Sequence, residues 1–302
     1  MKRLLVFICL SSLFYACNQN SNQDDGMKEE TSKIDWQGHR GARGLLPENS
    51  IPAFLKALEY PEIVTLEMDA AITKDKRVVL SHEPWMSPEI CFKPNGDTIT
   101  KEERIKIMDL TYEELKQFDC GSKGHHNFEE QVKQTVYKPS LEEVVTAVYV
   151  YCRENNRPLP NYNIEIKSSP RWDSIYTPLP EEFAKYLLDE IKSLEITSYV
   201  CVQSFDFRAL QAVHEQMPEI TTALLIGNIK SVNDNIDSLG FVPTIYSPHY
   251  KLINTESVQQ MKELGMKVIP WTVNDTEVMN DLLEIGVDGI ITDYPNRIPK
   301  SY

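Results

Sequence analysis

The sequence predicts an α/β fold, a TIM (β/α)8 barrel with a small insertion after its second strand. Three observations predict it. From Ile34 onward, strand-like and helix-like runs alternate, the pattern of a parallel sheet with helices outside it. The strand candidates are mostly short unbroken apolar runs rather than apolar–polar alternations, as strands buried on both faces require. The chain of 302 residues accommodates eight such units, because a barrel of this kind uses about 250 residues as one domain.

The strands are expected at residues 34–39, 63–70, 162–167, 200–204, 222–226, 244–247, 267–272 and 289–292. Between them, Leu141, Val144, Val145 and Val148 recur at the spacing of one helical face. Phe183, Tyr186, Leu187 and Ile191 do nearly the same, as do Val278, Leu282 and Ile285. Ser140 with Glu143 reads as a capping box opening the first of these helices. One region breaks the alternation. Strand two is expected to run past the rim, turn at Asp75-Lys76 and return antiparallel through residues 78–81, delivering His82 to the mouth. The polar stretch 83–138, with Pro84, Pro88, Pro94, Gly96, Gly121 and Gly124, is too long for an ordinary loop. It reads as an insertion capping the barrel.

The formal charge is −14, which argues against nucleic acid as a partner, since phosphate backbones demand a basic face. The first residues are Met1-Lys2-Arg3, followed by an apolar run from Leu4 to Phe14 and then Ala16-Cys17. A cationic start and a short apolar core read as an export signal. A small residue before Cys17 resembles the processing site of bacterial lipoproteins, in which that cysteine carries the lipid. Residues 1–16 are therefore expected to be a signal peptide, 17–32 a flexible polar tether, and 33–302 the barrel. The expected location is the cell envelope, with the membrane reached through lipidated Cys17. Of the remaining cysteines, Cys152 and Cys201 sit in apolar patterns and read as buried thiols. Cys91 and Cys120 flank one loop-rich segment. An oxidising compartment would permit them to pair, but the expectation is that they stay apart.

Chemistry is expected at the C-terminal ends of the strands. Strand one ends in His39-Arg40. Strand two carries Glu67 and Asp69, and strand three Glu165 and Lys167, each pair on one side of its strand by the two-residue period. The return strand ends in His82. Strand four carries Gln203, and strand seven offers Trp271. Three carboxylates in an apolar strand context are costly to bury unpaired. One divalent cation on Glu67, Asp69 and Glu165 would compensate them, and all-oxygen ligation favours Ca²⁺ or Mg²⁺ over zinc. The competing reading is a structural ion network in which Glu67 pairs with Lys167 or Arg40. His39 and His82 are the candidate acid–base pair. Arg40 and Lys167 are candidate phosphoryl clamps, and Gln203 and Trp271 candidate substrate contacts. Glu48 either orients Arg40 or a histidine, or stabilises the following helix as an N-terminal acid.

These motifs carry a family resemblance. Gly38-His39-Arg40-Gly41 with Pro47-Glu48-Asn49-Ser50, Glu67-Met68-Asp69, Thr73-Lys74-Asp75 leading to His82, Asn163-Ile164-Glu165-Ile166-Lys167, Gln203-Ser204-Phe205-Asp206, Trp271-Thr272-Val273-Asn274 and residues 289–295 occur in order. The chain resembles the glycerophosphodiester phosphodiesterases over nearly all of residues 37–296. Two positions depart from that pattern: Asp75-Lys76 stands where the family has Asp-Gly, and His82-Glu83 where it has His-Asp. The resemblance implies a metal-dependent enzyme that cuts glycerophosphodiesters to sn-glycerol 3-phosphate and an alcohol. In related enzymes the glycerol 2-hydroxyl is the suggested internal nucleophile. Two other readings compete with it: a non-catalytic envelope lipoprotein that binds phosphorylated ligands, and a phospholipase-type phosphodiesterase.

Overall fold

The computed structural model describes residues 34–300. The expected signal peptide, the tether and Cys17 lie outside the described residues. Nine strands run in chain order: β1 (Asp35–Gly38), β2 (Ile63–Ile72), β3 (Val78–Leu80), β4 (Asn161–Ile166), β5 (Val200–Ser204), β6 (Thr221–Ile226), β7 (Ile245–Pro248), β8 (Lys267–Val268) and β9 (Gly289–Thr292). The helices between them are α1 (Ile51–Leu58), α2 (Tyr112–Leu115), α3 (Leu141–Glu154), α4 (Pro180–Ser193), α5 (Phe207–Gln216), α6 (Val232–Leu239), α7 (Thr255–Glu263) and α8 (Thr276–Glu284).

Eight strands are parallel neighbours in the order β8-β7-β6-β5-β4-β2-β1-β9, and β3 pairs antiparallel with β2 off that path. Backbone bonds join the two ends of the series. Asp288 N–H donates to Val268 O at 2.8 Å, Ile291 N–H to Pro270 O at 3.0 Å and Val273 N–H to Ile291 O at 2.9 Å. The result is the TIM barrel expected from the alternation. The last-but-one strand is shorter than expected. Residues 267–272 form a regular ladder only at Lys267–Val268. Ile269 and Trp271 N–H still reach Tyr246 O and Pro248 O, but Pro248 has no N–H to return to this strand and Pro270 has none to give β9. Pairing then resumes as a single bridge between His249 and Trp271.

The main core lies between barrel and helices, where Phe54, Leu58, Phe183, Ile63, Leu66 and Met68 are fully buried or nearly so. Of the helical faces read from the sequence, Tyr186, Val278 and Ile285 are only partly buried against the core, while the face read at α3 is the buried one, with Leu141, Val144, Val145 and Val148. Its capping box is present, with Ser140 Oγ accepting from Glu143 N–H and Glu143 Oε2 accepting from Ser140 N–H, each at 3.2 Å. A smaller cluster, Ala223, Ile245, Ile269 and Ile291, fills the barrel interior.

The strand-two excursion folds as read. Ala70, Ala71 and Ile72 pair with Leu80, Val79 and Val78, and the turn closes through Lys76 N–H to Thr73 O at 3.0 Å. Lys76 takes the left-handed conformation, φ +65°, which a glycine would adopt at less steric cost. Thr73 Oγ1 donates to Asp75 at 2.7 Å and holds the turn from within. The insertion has its own core, in which Met86, Ile90, Ile107, Leu115 and Phe118 pack on Ala71 and Val79. Here one expectation is corrected: Cys91 and Cys120 form a disulfide. An antiparallel bridge between Phe92 and Asp119, with Phe92 N–H donating to Asp119 O at 2.7 Å, sets the two cysteines side by side. Cys152 and Cys201 are free thiols; Cys152 is buried as expected, and Cys201 is only partly buried.

Candidate active site

A cavity of about 250 Å³ opens at the C-terminal ends of the strands, lined among others by His39, Arg40, Glu67, His82, Glu165 and Lys167. The turn after β1 puts the first two in place. His39 N–H continues the β1–β9 ladder to Thr292 O at 2.8 Å, and the chain then reverses with Gly41 N–H on Gly38 O at 3.1 Å. Arg40 and Gly41 both have positive φ, +50° and +85°. A Cβ on Gly41 would meet the Ala53 backbone at 2.6 Å, so α1 can approach this turn only over a glycine.

The three carboxylates converge. Glu67, Asp69 and Glu165 are buried, and one oxygen from each lies within 4.8 Å of the others. The register explains it, because Glu67 pairs with Asn163 and Asp69 with Glu165 across β2 and β4. Their surroundings differ. Glu67 accepts from the Arg40 backbone N–H and from Gln203 Nε2, each at 2.8 Å. Burial, then the Asp69 charge, push its carboxyl well above the usual range. Burial acts on Asp69 in the same direction, but Arg40, His82, Lys167 and the Asn49 amide outweigh it and hold this carboxyl well below its ordinary value. Arg40 Nε lies 3.1 Å from Asp69 Oδ2, and Asn49 Nδ2 donates to the same oxygen at 2.8 Å. Glu165 is pushed up to about 7 by burial, against the pull of Lys167, whose Nζ is 3.0 Å from Glu165 and 3.8 Å from Asp69. An ion network therefore involves Asp69 and Glu165 but not Glu67, which no cationic side chain contacts among the described residues except His39 Nε2 at 3.9 Å. Two buried carboxylates held toward protonation beside an ionised third form an all-oxygen set that fits a hard divalent cation. Glu67, Asp69 and Glu165 would hold it.

Both imidazoles reach the cavity, and each is braced at Nδ1. Asp293 Oδ1 lies 2.6 Å from His39 Nδ1, and Glu83 Oε1 lies 2.9 Å from His82 Nδ1. Those acceptors hold a proton on each Nδ1 and leave each Nε2 free to take up or give a proton. Burial, opposed by Asp293, lowers the basicity of His39; burial and then Arg40 lower that of His82. Glu83 replaces the family's aspartate and still holds its histidine. Asp293 was not singled out from the sequence. Its signal was the polar residue at the end of the last strand, which barrel closure returns to the first. Asn274 fixes it, with Nδ2 donating to Asp293 Oδ2 at 2.7 Å.

Other side chains play narrower parts than expected. Glu48 orients cations rather than capping α1: it binds Arg40 Nη1 at 3.0 Å and Arg43 Nε at 2.6 Å. Arg40 thus commits two of its nitrogens to Glu48 and Asp69 and leaves Nη2 without a protein partner among the described residues. Gln203 also lines the cavity; its Nε2 donates to Glu67 and its Oε1 accepts from Asn163 Nδ2 at 3.0 Å, so it braces a carboxylate from within the lining. Trp271 borders the cavity with its Nε1 pinned to Ser247 O at 2.8 Å. Arg43 and Phe205 line it as well and were not among the candidates.

Fold and site together define a barrel enzyme that cleaves phosphate diesters. Residues 39–297 match the glycerophosphoryl diester phosphodiesterase family, and the chain belongs to that family. A glycerophosphodiester phosphodiesterase of Bacillus altitudinis is 33% identical over 267 residues, covering 87% of this chain and 95% of its own. One from Bacillus subtilis (strain 168) is 27% identical over 99% of this chain and 97% of its own. Among solved structures, a chain from Silicibacter pomeroyi DSS-3 superposes with a TM-score of 0.77 at 26% identity, over 88% of this chain and 92% of that one. An Oleispira antarctica phosphodiesterase solved with the product sn-glycerol-3-phosphate shares the fold, with a TM-score of 0.69 at 23% identity, over 87% of this chain and 94% of its own.

Proposed function

We propose that this enzyme hydrolyses glycerophosphodiesters to sn-glycerol 3-phosphate and an alcohol, with His39 and His82 as the acid–base pair and one Ca²⁺ or Mg²⁺ ion on Glu67, Asp69 and Glu165. The observation that carries the reading is the meeting, in one cavity, of three buried carboxylates and two imidazoles each braced by an acid. When bound, the cation supplies positive charge to a phosphoryl oxygen as negative charge builds there. His39, the more strongly braced imidazole, takes the proton of the attacking hydroxyl on Nε2, while Asp293 stabilises the imidazolium that results. His82, which must enter the step as the imidazolium held by Glu83, delivers its Nε2 proton to the departing alcohol oxygen as the bond from phosphorus to that oxygen breaks. Arg40 Nη2 and Lys167 donate to the remaining phosphoryl oxygens. With the glycerol 2-hydroxyl as nucleophile, the first step leaves a cyclic phosphate. Water then opens it, with the two histidines exchanging roles.

The test is hydrolysis of a panel of glycerophosphodiesters with and without chelator, followed by release of glycerol 3-phosphate. Wild type should turn over and chelator should stop it. His39→Ala should lose about 10²–10⁴-fold in kcat. Full activity in chelator removes the cation from the reading, and full activity of His39→Ala removes the acid–base assignment. The same reading includes export and anchoring through lipidated Cys17. The Cys91–Cys120 disulfide supports an oxidising compartment. Cys17→Ser should abolish fatty-acid labelling and release the protein from the membrane fraction, and unchanged labelling would contradict the anchor.

A further inference from the structure

The catalytic cavity does not end at the carboxylates. Glu165, Lys167 and Phe205 also form one wall of a second cleft, of about 520 Å³, between the loop that follows β4 and the loop that follows β5. Its two aromatic walls are fixed from behind. Trp172 is held edge-on by Trp85 of the insertion, with centroids 5.9 Å apart, and Trp85 packs in turn on Tyr176 at 5.2 Å. Phe205 is held edge-on by Trp271 at 5.2 Å, and Trp271 is itself pinned through Nε1. The loop carrying Trp172 is closed by Ile175 and Tyr176 N–H groups on Trp172 O, at 2.9 and 2.8 Å. These faces are therefore ordered before any ligand arrives, which lowers the cost of binding.

The charged groups of the cleft are already paired. Lys167, at the border with the catalytic cavity, is paired with Glu165 and is committed to the phosphoryl group in the reaction proposed above. Arg208 is paired with Asp173 at 2.7 Å and with Asp206 at 2.7 Å. Asp206 accepts from Ser168 Oγ at 2.6 Å and from the Arg208 backbone and side chain. No cation here is without a carboxylate, so an anionic group entering the cleft meets none left to neutralise it. Nor does Asp206 keep an oxygen free of donors, so a primary ammonium would surrender hydration without regaining hydrogen bonds. A quaternary ammonium has no N–H to satisfy and is attracted by aromatic faces. With two carboxylates against one guanidinium in the Asp173–Arg208–Asp206 group, the local field also favours a cation.

We propose that this cleft receives the leaving alcohol and selects a trimethylammonium alcohol over anionic, polyol and primary-amine alcohols, with Trp172 and Phe205 as the recognising faces. The proposal rests on the phosphodiesterase reading of the adjoining cavity, and two measurements separate their fates. The first compares kcat/KM for glycerophosphocholine with that for the ethanolamine, serine, inositol and glycerol diesters. Glycerophosphocholine should lead the set. Trp172→Ala should cut its advantage over the glycerol diester by about 5–30-fold, and Trp172→Phe should restore most of it. Equal rates across the panel, or an advantage untouched by Trp172→Ala, would overturn the proposal while leaving the phosphodiesterase reading intact. Faster turnover of lysophosphatidylcholine than of glycerophosphocholine would also overturn it, by giving the cleft to an acyl chain. The second measurement titrates wild type and Trp172→Ala with tetramethylammonium chloride by intrinsic fluorescence, against sodium chloride. Saturable quenching in wild type alone supports the cleft even if no diester is hydrolysed, and its absence counts against the cleft.

Discussion

The site depends on which atoms of each side chain remain free. His39 Nδ1 is spent on Asp293, and that bond leaves Nε2 as the nitrogen that can work. Asp293→Asn should preserve the fold but remove the charge and the tautomer preference. We expect kcat to fall by at least about 10²-fold, with KM little changed and the melting temperature within a few degrees of wild type. An unchanged kcat would make Asp293 a bystander. The carboxylates yield a second prediction. The folded chain keeps protons on Glu67 and Glu165 above the usual glutamate value near 4.5, up to about 7 for Glu165, where the unfolded chain has released them. The native state then binds more protons, so these groups favour folding less and less as pH rises through that interval. A bound cation replaces those protons and removes the loss. The rise in melting temperature on adding Ca²⁺ or Mg²⁺ should therefore grow from pH 5 to pH 8, and an increment that is flat or larger at pH 5 would contradict this account. At this scale the three carboxylates and both histidines were legible because they lie on, or just beyond, strands with clear periodicity. Asp293 was not, because its partner is 254 residues away and only barrel closure brings them together.

Among the elements, the strands and main helices were readable wherever periodicity and capping agreed, as at Ser140 and α3. The misses have local causes. Pro248 on one side and Pro270 on the other interrupt the β8 ladders inside a run that is otherwise strand-like. The disulfide was hidden because the bridge that sets Cys91 beside Cys120 joins two irregular segments. With a separation of 29 residues, loop-closure entropy assigns the disulfide about 3–4 kcal/mol of stability. The Cys91→Ser/Cys120→Ser double variant should lower the urea midpoint accordingly, with catalysis affected only through His82 at the edge of the insertion. A midpoint equal to that of the oxidised wild type would mean that the insertion core holds without its covalent tie.

For the whole molecule, the barrel does what no single segment can. Acidic residues from β2 and β4, a histidine from the end of β1, a second histidine returned by β3 and the Asp293 carboxylate beyond β9 are brought to one rim by parallel pairing and closure. An acidic chain of formal charge −14 binds a phosphodiester only if a local positive charge overrides its overall field, and Arg40 and Lys167 are largely taken up by acids. The cation is therefore the central claim. Calorimetric titration of chelator-stripped protein with Ca²⁺ and with Mg²⁺ tests it most directly, alongside Glu67→Gln, Asp69→Asn and Glu165→Gln. We expect one saturable site per chain in wild type, lost or weakened at least tenfold in each variant that stays folded. Absence of a saturable site in wild type, or full affinity in all three variants, would contradict the account.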